Sequence, residues 1–300
     1  KIFTEKYPPK KETIPTKKII SFSLVYQITV FLNRMFMWTD IFFLGYLTTS
    51  YEVGLYSVPI RISLLGSMVL RSMNKIFSPV ISDLYKKDKI QEIRIIFQTI
   101  IRWVAFCTLP FYMVLIFYAK NILAMVGPQY KVAYLCLMVS AIGQMINSLT
   151  GSVGVLLSMS KYHIINLVNN VSMILFNILL NYFLIKKYSY FGAALATALT
   201  IGIVNIIRMI EVRIFFKIFP YGKGCYKPFL ALGLSILTTK LLWYLFKDFY
   251  TASLPLFLEI MVFLSLYICF MCLLRFERID RLLFEKIKKK VLLLKSCIVI

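Results

Sequence analysis

Residues 33–63 read NRMFMWTDIFFLGYLTTSYEVGLYSVPIRIS, two apolar segments joined by a short polar connection. Asn33, Arg34 and Asp40 lie in the first segment, and Arg61 lies in the second. A helix needs about 20 apolar residues to cross the hydrocarbon layer of a bilayer, and the apolar segments that contain this stretch are that long. The sequence therefore predicts two membrane helices that carry charged side chains inside the membrane.

The composition of the whole chain is that of a membrane protein. Of its 300 residues, 60% are hydrophobic and 16% are charged, which is more apolar surface than a soluble domain of this length can bury. The net charge of +22 is high enough to suggest nucleic-acid binding, but the basic residues lie mainly in short blocks between apolar segments. This pattern is typical of cytoplasmic loops, so we expect no nucleic-acid partner.

Eight segments are long enough, or nearly so, to cross a membrane as helices. They are residues 19–47, 53–80, 95–118, 132–159, 164–185, 191–216, 229–246 and 254–274. The second is interrupted by Pro59, Arg61, Arg71 and Pro79. The predicted fold is all-α, a polytopic membrane helix bundle of about eight transmembrane helices.

Basic residues predict the orientation of these helices. The termini and the connections on their side of the membrane carry 22 Lys and Arg residues, and the opposite connections carry 5. Cytoplasmic loops are the basic ones, so we expect both ends of this chain in the cytoplasm. The basic tail at 275–300 has apolar residues at helical spacing and predicts an amphipathic helix that binds anionic membrane lipids.

The charged residues of the first two segments have two interpretations. Arg34 lies near the middle of the membrane, and Asp40 and Arg61 lie at similar depths on adjacent helices. A buried charge in a membrane usually faces a partner or a water-filled cavity. Asp40 and Arg61 could form a structural ion pair, or the residues could line a cavity for an anionic or sugar-bearing substrate. We favour the cavity for Arg34, which has no carboxylate at its own depth.

Other polar residues have two interpretations as well. Asn170, Asn177 and Asn181 share one face of the fifth segment, where they could join neighbouring helices or line a hydrophilic cavity. Further basic residues lie toward the ends of their segments, and their side chains are expected to reach the lipid head groups: Arg71, Lys75, Arg102 and Lys240. The chain carries no HExxH, GxSxG or Walker A motif, so we expect no enzyme.

Several stretches carry a family resemblance. Residues 40–45, DIFFLG, and 53–56, VGLY, resemble the start of the second lobe of polysaccharide flippases in the multidrug/oligosaccharidyl-lipid/polysaccharide exporter superfamily. Residues 122–133, ILAMVGPQYKVA, are similar to that family's connection between its ninth and tenth helices. Residues 169–185 and 191–200 resemble its eleventh and twelfth helices.

The resemblance implies a two-lobed exporter fold, of which this chain would hold the second lobe and two additional helices. The implied divisions are a cytoplasmic linker at 1–18, a six-helix lobe at 19–216, two further transmembrane helices at 217–274 and a cytoplasmic tail at 275–300. An N-terminal lobe is then missing from this chain. The chain starts at Lys1 rather than Met, which we interpret as part of a longer protein.

The implied activity is the flipping of undecaprenyl-diphosphate-linked oligosaccharide across the bacterial cytoplasmic membrane by alternating access, for O-antigen or capsule-type surface polysaccharides. Glycan polymerase machinery is an implied partner, and coupling to protons or sodium is implied without any other cofactor. Asn33, Arg34, Arg61 and the three asparagines would line the cavity, and Asp40 would couple the ion or pair with Arg61. The alternatives are a multidrug cation antiporter of the same superfamily and a non-transporting membrane partner.

Overall fold

The computed structural model describes residues 16–222, 224–245, 256–274, 277 and 280, and every regular element within them is helical. The elements are α1 (Thr16–Leu47), α2 (Ser50–Lys86), α3 (Ile90–Phe117), α4 (Ala119–Val126), a 3-10 helix (Pro128–Ala133), α5 (Tyr134–Thr150), α6 (Val153–Ser158), α7 (His163–Phe216), α8 (Tyr226–Leu245) and α9 (Leu256–Leu273). Within this part of the chain, seven helices are long and apolar enough to cross a membrane. The predicted all-α membrane bundle is confirmed.

The longest of these helices, α7, is a hairpin of two arms. Its 54 residues contain one non-helical residue, Ser189, with φ 52° and ψ −133°. Asn170 accepts a hydrogen bond from Arg208 at 2.9 Å, although 38 residues of straight helix would separate them by about 57 Å. The chain therefore turns back at Ser189, and the arms 163–188 and 190–216 hold the fifth and sixth predicted segments.

The second predicted segment, 53–80, is confirmed as one helix, because α2 runs from Ser50 to Lys86 through both Pro59 and Pro79. The fourth predicted segment, 132–159, differs from the observed helices, since it is divided into the 3-10 helix, α5 and α6. Gly151 separates α5 from α6 with a left-handed φ of 73°, and a side chain there would collide with Ile101. Glycine adopts such a backbone without a steric penalty, which explains the break.

The buried core has its centre at α5, which packs against α2, α3 and α7. One cluster, which includes Leu44, Tyr56 and Tyr112, lies where α1 ends and α2 begins, and a second, which includes Phe97 and Phe216, lies at the opposite end of the bundle. The last two helices, α8 and α9, pack against α3 through a third cluster, which includes Phe263 and Tyr267. Many large apolar side chains on the outside stay exposed, as expected of a lipid-facing surface.

Small residues bring helices into close contact at two places. A Cβ atom on Gly143 of α5 would lie 2.9 Å from the Cα atom of Ala198 in the second arm of α7. At Gly192 a Cβ atom would collide with the backbone of Leu184 across the hairpin turn. The backbones therefore approach more closely than larger side chains allow.

The terminal regions of the prediction lie mostly outside the described residues. The linker predicted at 1–18 is described only from Thr16, where α1 begins. The amphipathic tail predicted at 275–300 is described only at residues 277 and 280, so the tail stays a prediction.

Candidate functional site

Asp40 lies where four helical segments meet: α1, α2 and the two arms of α7. Its side chain is buried, with 3% of its surface exposed. The Tyr56 hydroxyl of α2 and the Thr197 hydroxyl of the second α7 arm donate hydrogen bonds to its carboxylate. Asn181 of the first arm donates a third through its amide nitrogen, at 2.7 Å. This carboxylate therefore joins α1 to α2 and to both arms of α7.

The first of the two interpretations, an ion pair between Asp40 and Arg61, is not observed. Among the residues that the structure describes, four ion pairs lie within 4.0 Å, and this pair is not one of them. Tyr56 precedes Arg61 on the same helix and reaches the carboxylate instead. Three neutral donors thus satisfy Asp40, and the Arg61 side chain is exposed to a pocket.

We name this cavity the Arg61 pocket; it holds about 270 Å³ of space between α1, α2, α5 and the second α7 arm. Two arginines from different helices, Arg34 and Arg61, face it together with the exposed indole of Trp38. The side chains of Asp40, Gln144 and Thr197 complete its polar lining. The pocket can therefore offer two guanidinium groups and an aromatic surface to an anionic or sugar-bearing molecule.

The predicted asparagine stripe lies between helices. Asn170, Asn177 and Asn181 have no exposed surface, and none of the three lines the Arg61 pocket. Asn177 contacts the Thr197 hydroxyl at 3.4 Å, and Asn181 donates to the Asn177 side chain at 3.0 Å. This placement favours the interhelical role over direct contact with a substrate.

A second cavity, which we name the Arg208 pocket, lies beside the first along the same helices. It holds about 340 Å³ and is lined by three basic residues, Arg71, Lys75 and Arg208, and by many amide and hydroxyl groups. Asn33 lines this cavity rather than the Arg61 pocket. The expectation that Arg71 and Lys75 only reach for lipid head groups is thus incomplete, because both contribute to a polar cavity.

The sequence contains a pattern that indicates part of the Arg208 pocket, although hydropathy does not detect it. Arg71, Asn74, Lys75 and Ser78 occur at spacings of three and four residues and so share one face of α2. Arg208 lies 38 residues from its partner Asn170, and only the reversal at Ser189 brings them together. No local sequence pattern reports that contact.

The Asp40 junction is also a candidate site for a coupling ion. Its ligand atoms would all be oxygens, from the carboxylate, the Tyr56 and Thr197 hydroxyls and the neighbouring amides. The Asn181 Oδ1 atom is buried without a hydrogen-bond partner among the described residues. Hard cations prefer such oxygen ligands, and a carboxylate can carry a proton. Within the described part of the chain, no group of three or more His, Cys, Asp or Glu residues could hold a metal ion.

Three comparisons with known proteins add to this geometry. Residues 2–135 match the profile of a family described as "Polysaccharide biosynthesis protein". The probable flippase AglR of Haloferax volcanii is 28% identical over 198 residues, which cover 59% of this chain and 38% of the relative. The structure titled "Lipid II flippase MurJ, inward closed conformation" is 19% identical, with a TM-score of 0.53, over 80% of this chain and 52% of that one.

The chain thus spans about half of the length, or less, of the two proteins that it matches. The solved structure is similar to this chain in fold. The family profile and the curated relative are similar to parts of it in sequence. The resemblance to polysaccharide-flippase-type membrane proteins that the sequence predicts is thereby confirmed.

Proposed function

We propose that this chain forms part of a flippase that carries an undecaprenyl-diphosphate-linked oligosaccharide across the cytoplasmic membrane by alternating access. The product would serve surface polysaccharide biosynthesis, including O-antigen or capsule. The observation that carries the proposal is the Arg61 pocket, which Arg34 and Arg61 both line between helices long and apolar enough to cross a membrane. Charges in that environment are costly and usually mark a transport path.

The chemistry of the pocket suits such a substrate. Guanidinium groups bind phosphate oxygens through two parallel hydrogen bonds, and the exposed Trp38 ring offers an apolar surface on which a sugar can stack. Both arginines are exposed to the pocket, and neither forms an ion pair with a described residue. The pocket therefore keeps its positive charge available for a diphosphate or an acidic sugar.

Asp40 is the residue we assign to ion coupling. It lies at the edge of the Arg61 pocket and holds α1, α2 and α7 together. Binding of sodium or a proton would compete with the donors that now occupy the carboxylate. Such a change would alter the hydrogen bonds that hold these helices together. An ion favours one conformation only if it binds that conformation more tightly, and a difference in these hydrogen bonds would provide that preference.

The location that we propose is the bacterial inner membrane, and the excess of basic residues supports an orientation with both ends of this chain in the cytoplasm. The expected partners are the lipid-linked oligosaccharide, anionic membrane lipids, an N-terminal lobe and glycan polymerase machinery. We propose a transporter rather than an enzyme, on the basis of the pockets and of relatives named as flippases.

The test is glycan export in cells that depend on this protein. We expect Arg34→Ala to lower surface glycan by about tenfold or more at equal protein level, because transport loses a phosphate-binding contact. The matched control is Arg213→Ala, since Arg213 is exposed but lines neither pocket. Full export by the double variant Arg34→Ala/Arg61→Ala would contradict the proposal.

The alternatives predict different results. A multidrug cation antiporter would bind organic cations, whereas the two pockets together contain five basic residues and one acid. Drug resistance conferred by the parent and retained by Arg34→Ala would support the antiporter. A non-transporting partner would restore export only when a separate transporter is present.

A further inference from the structure

The Arg208 pocket combines a surplus of positive charge with unoccupied donors. Arg71, Lys75 and Arg208 line it, and no Asp or Glu residue does. Within the described part of the chain, none of the three belongs to an ion pair. Glu211 interacts electrostatically with Arg208 but does not line the cavity. The three cations face the cavity with no acid in its lining and repel one another, so the pocket is suited to an anion that would relieve the repulsion.

The three cations reach the cavity in different ways. Arg71 and Lys75 are exposed and lie one helical turn apart on α2. Arg208 is fixed from the other side, because it donates to Asn170 at 2.9 Å while its Nε atom is buried without a partner among the described residues. Gly154 leaves room beside it, since a Cβ atom there would lie 3.7 Å from the guanidinium.

Neutral groups complete the lining. Asn74 accepts a hydrogen bond from Ser152 through its oxygen, and its amide nitrogen donates to no described residue. The buried Asn166 donates to Ser158 at 2.7 Å, and its oxygen has no described partner. The pocket therefore offers an additional amide donor for an anion and an acceptor for a hydroxyl group or water.

A chain of amides connects this pocket to the Arg61 pocket. Asn205 donates to Asn147 at 3.0 Å, and Asn147 contacts Gln144 at 3.5 Å. Asn147 and Asn205 line the Arg208 pocket, and Gln144 lines the Arg61 pocket. On α1 the two pockets are centred about eight residues apart, or about 12 Å along the helix.

We propose that the Arg208 pocket is a second anion-binding site, distinct from the Arg61 pocket, and that its ligands are phosphates or diphosphates. Arg71 and Lys75 bind the anion from α2, and Arg208 binds it from α7. The ligand is either the diphosphate of a lipid-linked molecule or a free phosphate anion. Only the lipid-linked assignment rests on the proposed function, because the anion chemistry of the pocket does not require transport.

The experiment measures binding to the purified full chain in nanodiscs of phosphatidylcholine. Isothermal titration with inorganic pyrophosphate is compared between the parent and Arg71→Gln/Lys75→Gln. We expect the variant to keep the binding of the Arg61 pocket, about half of the parent stoichiometry, and to bind at least about tenfold more weakly at the Arg208 pocket, since two charge-assisted contacts are lost there. Both side chains are exposed, and an unchanged melting temperature would show that the variant folds. The matched control is Lys86→Gln/Arg213→Gln, which removes the same charge outside both pockets.

Two further arms separate the sources of the ligand. Tighter binding of farnesyl diphosphate than of pyrophosphate, lost in the same variant, supports a lipid-linked ligand. Equal binding of the two probes supports free phosphate. Arg34→Gln/Arg61→Gln should leave about half of the binding stoichiometry, since the Arg208 pocket remains.

The proposal is overturned if the parent shows no saturable pyrophosphate binding, or if Arg71→Gln/Lys75→Gln keeps both the stoichiometry and the affinity of the control. Failure of the proposed function would look different, because export would then be insensitive to Arg34→Ala while pyrophosphate binding still depended on Arg71 and Lys75. Loss of export in Arg34→Ala with no pyrophosphate binding at Arg71 and Lys75 would reject the second site alone.

Discussion

The hydrogen bond from Tyr56 to Asp40 should contribute measurably to the stability of the bundle. Tyr56 is 1% exposed, and its hydroxyl donates to a carboxylate that is itself buried. Tyr56→Phe removes only the hydroxyl and leaves the ring in place. Asp40 would retain its contacts with Thr197 and Asn181, so the variant isolates one of three donors.

The expected size of the effect follows from the acceptor. A hydrogen bond to a charged group is worth about 1.5–3 kcal/mol, against about 0.5–1.5 kcal/mol for a neutral one. Hydrogen bonds in membrane bundles lie at the low end, with a maximum of about 1.7 kcal/mol. We therefore expect Tyr56→Phe to lower the free energy of unfolding by about 1.5 kcal/mol.

Tyr267 provides the matched control. It is also 1% exposed, but its hydroxyl donates to a neutral acceptor, the Phe106 backbone carbonyl, at 3.1 Å. Equilibrium unfolding in detergent should show a smaller loss for Tyr267→Phe, about 0.5 kcal/mol. In an Asp40→Asn background, the cost of Tyr56→Phe should fall to that of the control. An equal cost for both tyrosines, or no coupling to Asp40, would refute this reasoning.

Two further predictions concern other parts of the bundle. Gly192→Ala should cost about 1–3 kcal/mol by overpacking the hairpin turn, while Gly202→Ala, with no heavy atom within 4 Å of the new carbon, should be neutral or stabilising in the same unfolding assay. Arg102→Gln should cost about 3–5 kcal/mol, because it leaves Asp280 buried without the ion pair they form at 2.5 Å. Lys87→Gln removes an exposed ion pair and should lower the free energy of unfolding by less than about 1 kcal/mol. Equal losses of stability in Arg102→Gln and Lys87→Gln would contradict the claim that burial makes the first ion pair more important.

Apolar length was enough to predict the helices, because a membrane forces each crossing segment to satisfy its own backbone. It also predicted α2 as one segment, although Pro59 and Pro79 lie within the helix. It missed the break at Gly151, where the backbone lies against Ile101 of another helix. Hydropathy thus failed where packing between helices decided the backbone.

The sequence singled out Arg34, Arg61 and Asp40, which line one pocket, but it could not predict their contacts. The depth of Asp40 on α1 correctly marked it as a residue that needs partners inside the bundle. Its actual partners, Tyr56, Asn181 and Thr197, are 16 to 157 residues away and include no charge. Opposite charges at equal depth suggested Arg61 as a partner of Asp40, but the depth of a residue does not determine toward which neighbour its side chain points. That direction is set by packing.

The reversal at Ser189 has a consequence for how the chain enters a membrane. The first arm of α7 carries Asn170 and Asn177, whose partners Arg208 and Thr197 lie on the second arm. An arm released alone into lipid would expose these polar groups to hydrocarbon, where each unpaired group is costly. The two arms should therefore leave the insertion machinery as one hairpin, so that synthesis of the second arm completes the insertion of the first.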